Sequence, residues 1–208
     1  RCRATLMKQK EVDFMVKVIG ICGSPRKNGN TEILLREALD AAEEAGAETE
    51  LVRLAGLDIN PCRACDSCKK TGECAIEDDL NRVVELAASA HGIIIGSPVY
   101  FGSVTAQTKM FMDRTRPLRS EFRLADRVGG AVTVGGSRNG GQETACRDIH
   151  SFFLIHEAAV VGDASPTAHY GGTGVGGAKG ESADDMTGIE TARNLGRRVA
   201  LLAARIHG

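Results

Sequence analysis

The 208-residue chain contains no tryptophan, and aromatic residues make up only 4% of it. With so few rings to fill a core or line a pocket, loops more than aromatic packing must carry its distinctive chemistry. An excess of charge is missing too, since 26 basic against 27 acidic residues leave a formal net charge of -1. No overall field therefore favours nucleic acid or an anionic membrane as a partner. No apolar run approaches the roughly 18 to 20 residues that span a bilayer, and no short hydrophobic segment with a small-residue cleavage site lies near the start. A cytoplasmic protein is the expectation. The stretch RCRATLMKQKEVDF at residues 1–14 reads as an appended or loosely ordered leader, and Cys2 is set aside with it. Residues 15–208 suffice to bury a full core as one domain.

What the chain does have is 25 glycines, 7 cysteines and a regular alternation of short apolar runs with helical periods. Val16 to Cys22, Glu50 to Leu54, Gly92 to Gly96, Val128 to Val134 and Ala158 to Val161 read as strands. Between them lie amphipathic helices: one from about Leu34 to Ala45, one capped by Asp78 or Asp79, one over Val104 to Arg114 and one over Gln142 to His156. A last helix carries Ile189, Leu195, Val199 and Ile206 on one face, led by a capping box from Thr187 to Glu190. This alternation predicts an α/β, doubly wound five-stranded parallel sheet of order 2-1-3-4-5. In such a sheet the ligand sits beyond the carboxyl ends of strands 1, 3 and 4. Here those ends run into GSPRKNGNT, SPVYFG and GGSRNGGQE, the least ordinary loops of the chain.

The first of these loops is built of small residues and re-enters a helix at Asn30 and Thr31, so free backbone N–H groups and a positive helix end face one point. That point suits a phosphate. Ser24, Asn30 and Thr31 add short donors and Arg26 adds charge. A nucleotide-binding G-x4-G-K-[ST] loop is excluded, because five residues separate Gly23 from Gly29 and Asn30 stands where lysine is needed. The plain alternative is a serine and asparagine turn with an ordinary helix cap.

The loop, the sheet and the segment SPVYFGSVTAQTKMFMDR together resemble the NADPH-dependent FMN reductase family of flavodoxin-like proteins, over Met15 to about His207. The resemblance implies that Ser24, Arg26, Gly29, Asn30 and Thr31 hold the phosphate of FMN. It also implies that Pro98, Val99, Tyr100, Phe101 and Gly102, with Gly136, Arg138, Gly141 and Gln142, line the isoalloxazine. Tyr100 and Phe101 offer flat apolar faces, and at least one of the two is expected to pack beneath its loop. From the same resemblance come a homodimer or homotetramer, a ferredoxin-type electron donor, and a quinone or oxygen species as small-molecule acceptor.

Between the second strand and its helix, in the segment 59–78, four cysteines follow the pattern C-x2-C-x2-C-x5-C: Cys62, Cys65, Cys68 and Cys74. In a reducing compartment such a group reads as metal ligands before disulfides. Zinc sites usually pair two separate knuckles, whereas three cysteines at successive x2 spacings favour a four-iron four-sulfur cluster. The match to the bacterial ferredoxin run is partial, because that run has x3 before its last cysteine and a proline after it. Zinc, and thiols with no metal, stay open as readings. The compact spacing also resembles the iron-sulfur flavoprotein branch of the same family, in which such a motif carries a cluster beside FMN.

Several signals carry less. Gly172, Gly174 and Gly177 satisfy G-x-G-x-x-G, yet no helix pattern opens on the third glycine, so a flexible loop bearing His169 and Tyr170 is expected there. Arg114, Arg116, Arg119, Arg123 and Arg127 read as a solvated face or subunit contact, with recognition of a nicotinamide 2'-phosphate or an acidic electron-transfer partner as the alternative. His150 and His156 do not share a helix face and are given no role. Cys22 and Cys146 read as buried small hydrophobes. No catalytic side chain is expected, because flavin chemistry takes place on the cofactor. The expected function is an FMN and four-iron four-sulfur oxidoreductase, with NAD(P)H as a further candidate donor. Its rivals are a cluster-free FMN or quinone reductase and a flavodoxin-like electron carrier.

Overall fold

The computed structural model describes residues 15–208, so the leader read at 1–14 lies outside the described residues. Short runs of branched residues make the sheet. Strand β1 is Lys17–Cys22, β2 is Glu48–Arg53, β3 is Gly92–Pro98 and β4 is Val128–Gly135, the last with all eight residues buried. A fifth strand, β5, keeps only Ala159–Val160. All pairings are parallel and the order is β2-β1-β3-β4-β5, as read from the alternation of apolar runs and helices.

Parallel strands need crossovers, and these place helices on both faces. Helix α1 (Asn30–Glu44) and the long α7 (Met186–His207) cover one face, where Leu34, Leu35, Leu195 and Val199 pack on Val18, Ile94 and Val132. On the other face, α3 (Leu80–Ser89), α4 (Ala106–Arg114) and α6 (Gln142–Ile155) bring Val83, Phe111 and Phe153 onto Ile19, Ile21, Ile93 and Ile95. Two five-residue helices were not evident from periodicity: α2 (Ser67–Thr71) inside the cysteine segment and α5 (Arg116–Ser120). No helix among the described residues is long and apolar enough to cross a membrane.

Two expectations are corrected. The segment read as a flexible glycine loop contains strand β6, Gly172–Val175, which pairs in parallel with Val132–Gly135. The outer edge is thus shared: β5 pairs with Val128 and Gly129, the chain loops out, and β6 resumes beside the distal half of β4. Glycine hid this strand because a side chain does not fit there; a Cβ on Gly174 would stand 2.2 Å from Leu34 Cδ1. The second correction concerns α7, which is not led by the capping box at Thr187. Asp185 occupies the N-cap, and its carboxylate accepts from the Val175 amide at 2.7 Å.

Helices α1 and α7 approach closely because the crossing point is made of small residues. A Cβ on Gly196, in the middle of α7, would lie 1.8 Å from the carbonyl oxygen of Ala38. Helix propensity alone would make Gly196→Ala stabilising by about 1 kcal/mol. Here steric overlap with rigid backbone decides the sign, and the substitution is expected to destabilise by about 1 to 3 kcal/mol. Urea denaturation checks this: a lower midpoint agrees, and an equal or higher one contradicts the close crossing.

Candidate functional site

The loop after β1 is positioned by α4. Gly23 donates its amide to Gly96 O at 2.7 Å, and a Cβ at residue 23 would lie 1.8 Å from Thr108 Oγ1. Thr105 caps α4 and its hydroxyl donates to Gly23 O at 2.7 Å, which leaves the Thr108 hydroxyl to donate to Thr105 Oγ1 at 2.9 Å. Beyond this anchor the chain turns tightly, with Ser24 Oγ accepting from Arg26 N at 3.2 Å. Helix α1 then begins at Asn30 with Gly29 as its N-cap and no side-chain cap. Its first-turn amides therefore present partial positive charge at the head of the loop.

A buried carboxylate braces this loop from behind. Glu32 accepts from the Asn28 amide at 2.9 Å, from Arg36 Nη2 at 3.0 Å and from Arg53 Nη2 at 2.6 Å. The hydrogen bond from Arg53 is the main cause that lowers its pKa to about 2, against the opposing effect of burial. In the sequence Glu32 is only one acidic residue of a helical first turn.

The three strand-end loops meet at a cavity of about 200 Å³. Ser24, Arg26, Asn30 and Thr31 line it from the β1 end and the start of α1, Pro98, Val99 and Tyr100 from the β3 end, and Val134 and Gly136 from the β4 end. Gly176 and Gly177, just past β6, complete the wall, a position that the glycine spacing of the sequence does not reveal. A larger groove of about 910 Å³ lies between α4, α5 and α6, lined by Lys109, Arg116 and His156 among others, and none of the strand-end loops reaches it. His156 in its wall is buried, and burial first, then Arg119 and Arg116, lowers its pKa to about 4.

Several polar side chains expected at the ligand are bonded within the chain. The Asn30 amide is turned to the chain: Nδ2 donates to Ala178 O at 2.7 Å, while Oδ1 accepts from Gly180 N at 2.8 Å and Ser182 N at 3.2 Å. Gln142 is buried and folds its own loop, donating to Ser137 O and Gly174 O and accepting from Gly140 N. Arg138 pairs with Asp185 at 2.6 Å. Gly29, Gly141 and Gly102 shape the backbone without lining the cavity, and the last two have φ of 93° and 78°. Neither ring of the Tyr100 and Phe101 pair packs beneath its loop. Tyr100 is 47% exposed, and Phe101 is wholly exposed because a tight turn with φ of 51° at residue 101 projects it outward.

In the cysteine segment, Cys62 and Cys65 are exposed, Cys68 and Cys74 are half-buried, and all four are unpaired. Left-handed residues at Ala64, Asp66 and Gly72 curl the chain, and Cys62 Sγ accepts from the Ala64 amide at 3.4 Å. Among the described residues no three His, Cys, Asp or Glu side chains converge as a site for a single metal ion. The base of the segment is fastened by Arg114. This arginine is not part of a solvated face: its side chain is 1% exposed and forms an ion pair with Asp78 at 2.8 Å. The buried thiols Cys22 and Cys146 are pushed up by burial to about 11 and about 12, as small hydrophobes would be.

Residues 16–172 match the family model described as NADPH-dependent FMN reductase. An iron-sulfur flavoprotein of Methanocaldococcus jannaschii is 60% identical over 185 residues, covering 89% of this chain and 96% of that protein. Another, from Methanosarcina thermophila, is 42% identical and covers 86% and 93% respectively. The structure of a flavodoxin, WrbA-like protein from Agrobacterium tumefaciens superposes with a TM-score of 0.68 at 19% identity, over 92% of this chain and 99% of that one.

The buried Glu32 gives the loop a pH dependence. Its pKa is about 2 in the folded chain against an ordinary 4.5, so its stabilising effect is complete above about pH 4.5 and is lost as the pH falls towards 2. Glu32→Gln is expected to cost on the order of 2 to 3 kcal/mol at neutral pH. Chemical denaturation from pH 7 to pH 3 should show that difference shrinking with acid. A difference independent of pH would contradict the brace.

Proposed function

Because this chain belongs to the NADPH-dependent FMN reductase family and is a flavin-dependent oxidoreductase, we propose that FMN occupies the cavity at the strand ends while Cys62, Cys65, Cys68 and Cys74 hold a four-iron four-sulfur cluster. Electrons then pass between a ferredoxin-type or NAD(P)H donor and a small acceptor such as a quinone or oxygen species. The observation that carries the reading is the meeting of three strand-end loops at one cavity headed by an uncapped helix.

That cavity suits a phosphorylated ring compound. The first-turn amides of α1, with Arg26, Ser24 and Thr31 on the wall, supply donors and positive charge for a phosphate. Pro98, Val99 and Val134 supply an apolar wall, and Tyr100 a flat one. Asn30 and Gln142 hold this shape: one ties the loop at 178–182 to α1, the other closes the loop at 137–140. Gly176 must lack a side chain for Asn30 to make these bonds; a Cβ there would stand 2.4 Å from Asn30 Nδ2.

The cysteine segment offers a donor set suited to iron and sulfide: four thiols within thirteen residues, none in a disulfide, on a curled backbone that already gives one N–H to a sulfur. When bound, FMN exchanges electrons in pairs and a cluster exchanges them singly, so a protein holding both joins two kinds of carrier. The side chains bind and orient; none is required to move a proton in this reading. The wholly exposed Phe101 and the exposed Leu154 and Ile155 support assembly as a homodimer or homotetramer. The unpaired cysteines support a reducing, cytoplasmic setting.

Anaerobically purified protein is expected to release FMN on heating and to contain iron and acid-labile sulfide. Cys65→Ala should lose or convert the cluster yet retain FMN, because no cavity-lining residue comes from the cysteine segment. Release of FAD would contradict the flavin assignment. Zinc alone, or no metal after reconstitution with iron and sulfide, would contradict the cluster.

A further inference from the structure

This inference rests on the reading of Cys62, Cys65, Cys68 and Cys74 as cluster ligands, and it concerns what Arg114 does beside them. A guanidinium carries five N–H groups. In Arg114, Nη1 donates to Asn60 O at 2.7 Å and Asp78 Oδ2 at 2.8 Å. The two N–H groups of Nη2 are shared among three acceptors, Ile76 O at 3.1 Å, Asp78 Oδ1 at 3.0 Å and Asn81 Oδ1 at 3.2 Å. These contacts take one carbonyl on each side of the four cysteines and the aspartate that opens α3, so both ends of the segment close on one side chain.

The fifth N–H, on Nε, is buried and has no acceptor among the described residues. A buried donor without an acceptor is costly, and in a native fold it calls for a partner. Cys74 is a near neighbour of the same guanidinium, two residues before the Ile76 carbonyl that Nη2 holds. Burial acts against the charge of Arg114, and Asp78 together with the neighbouring Cys74 sulfur more than offsets it, raising the arginine's pKa. A neutral thiol is a weak acceptor, whereas a thiolate bound to iron is a good one.

We propose that Arg114 is a positioning residue for the cluster, its Nε–H donating to the sulfur of Cys74 once that sulfur is an iron ligand. The bond orients the last of the four ligands, which follows a longer spacer than the others. It also stabilises the added negative charge of the reduced cluster, so it raises the reduction potential. Loss of this one N–H is expected to shift the one-electron equilibrium about tenfold towards the oxidised form, about 59 mV.

The test uses the full chain reconstituted anaerobically with iron and sulfide, as wild type, Arg114→Gln, Arg114→Lys and Asp78→Asn. Redox titration followed by electron paramagnetic resonance gives the cluster potential in each. The potential should fall by about 59 mV, a tenfold change, in both Arg114 variants. In Asp78→Asn, which breaks the ion pair but keeps Nε–H, it should not fall. A purely structural role predicts lower iron content in all three variants with an unmoved potential in the fraction that keeps its cluster. That result, or an equal fall in Asp78→Asn, overturns the proposal. If Arg114→Gln does not fold, Arg114→Lys decides, since it keeps the charge opposite Asp78 and lacks only the fork. A wild type that takes up no cluster overturns the ligand reading and this inference together; a wild-type cluster whose potential the Arg114 variants leave unmoved overturns the inference alone.

Discussion

The seat of α4 against the end of β1 sets the geometry of everything downstream. Because residue 23 has no side chain, Thr108 packs where a Cβ would be, and Thr105 can reach the Gly23 carbonyl. The loop that heads the cavity is therefore referenced to the N-terminus of α4. Nine residues later, about 13 Å along a helix, Arg114 at the other end of α4 grips both ends of the cysteine segment. One short rigid element thus fixes a phosphate-type cradle and a sulfur-rich loop relative to each other, so the two candidate cofactor sites need no contact between their own loops to hold a constant separation.

The division of labour among polar groups follows from burial. Groups that are buried and fully bonded, such as Glu32, Asn30 and Gln142, hold loops in shape. Those that line the cavity with capacity to spare, the α1 amides, Arg26 and Thr31, are the ones able to meet a ligand. The same distinction separates the cysteines. Cys22 and Cys146 lie in the apolar core, where burial keeps their thiols neutral, while the four of the curled segment reach the surface or lie half-buried.

Much of this was legible in the sequence because buried parallel strands are short, branched and end in small residues, as Val18 to Cys22 and Ile93 to Ile95 do. That signature yielded the strand order and the three loops. It failed for β6, where Gly172 and Gly174 take the place of branched residues because α1 and α7 press on the strand. Polar residues at strand ends were read as ligand contacts. A sequence cannot distinguish an asparagine aimed at a phosphate from one bonded to a backbone amide 150 residues away, as Asn30 is to Gly180. Arg114 was lost in a run of five arginines for a similar reason: its partner Asp78 lies 36 positions upstream and sits in no common helix period.

A chain that joins a two-electron cofactor to a one-electron cofactor, as proposed for this one, is revealed by the number of electrons it takes up. Anaerobic reductive titration of the fully loaded protein should consume about three electrons per chain, two at FMN and one at the cluster. Uptake of about two electrons per chain, with the spectral change of flavin alone, would contradict the account.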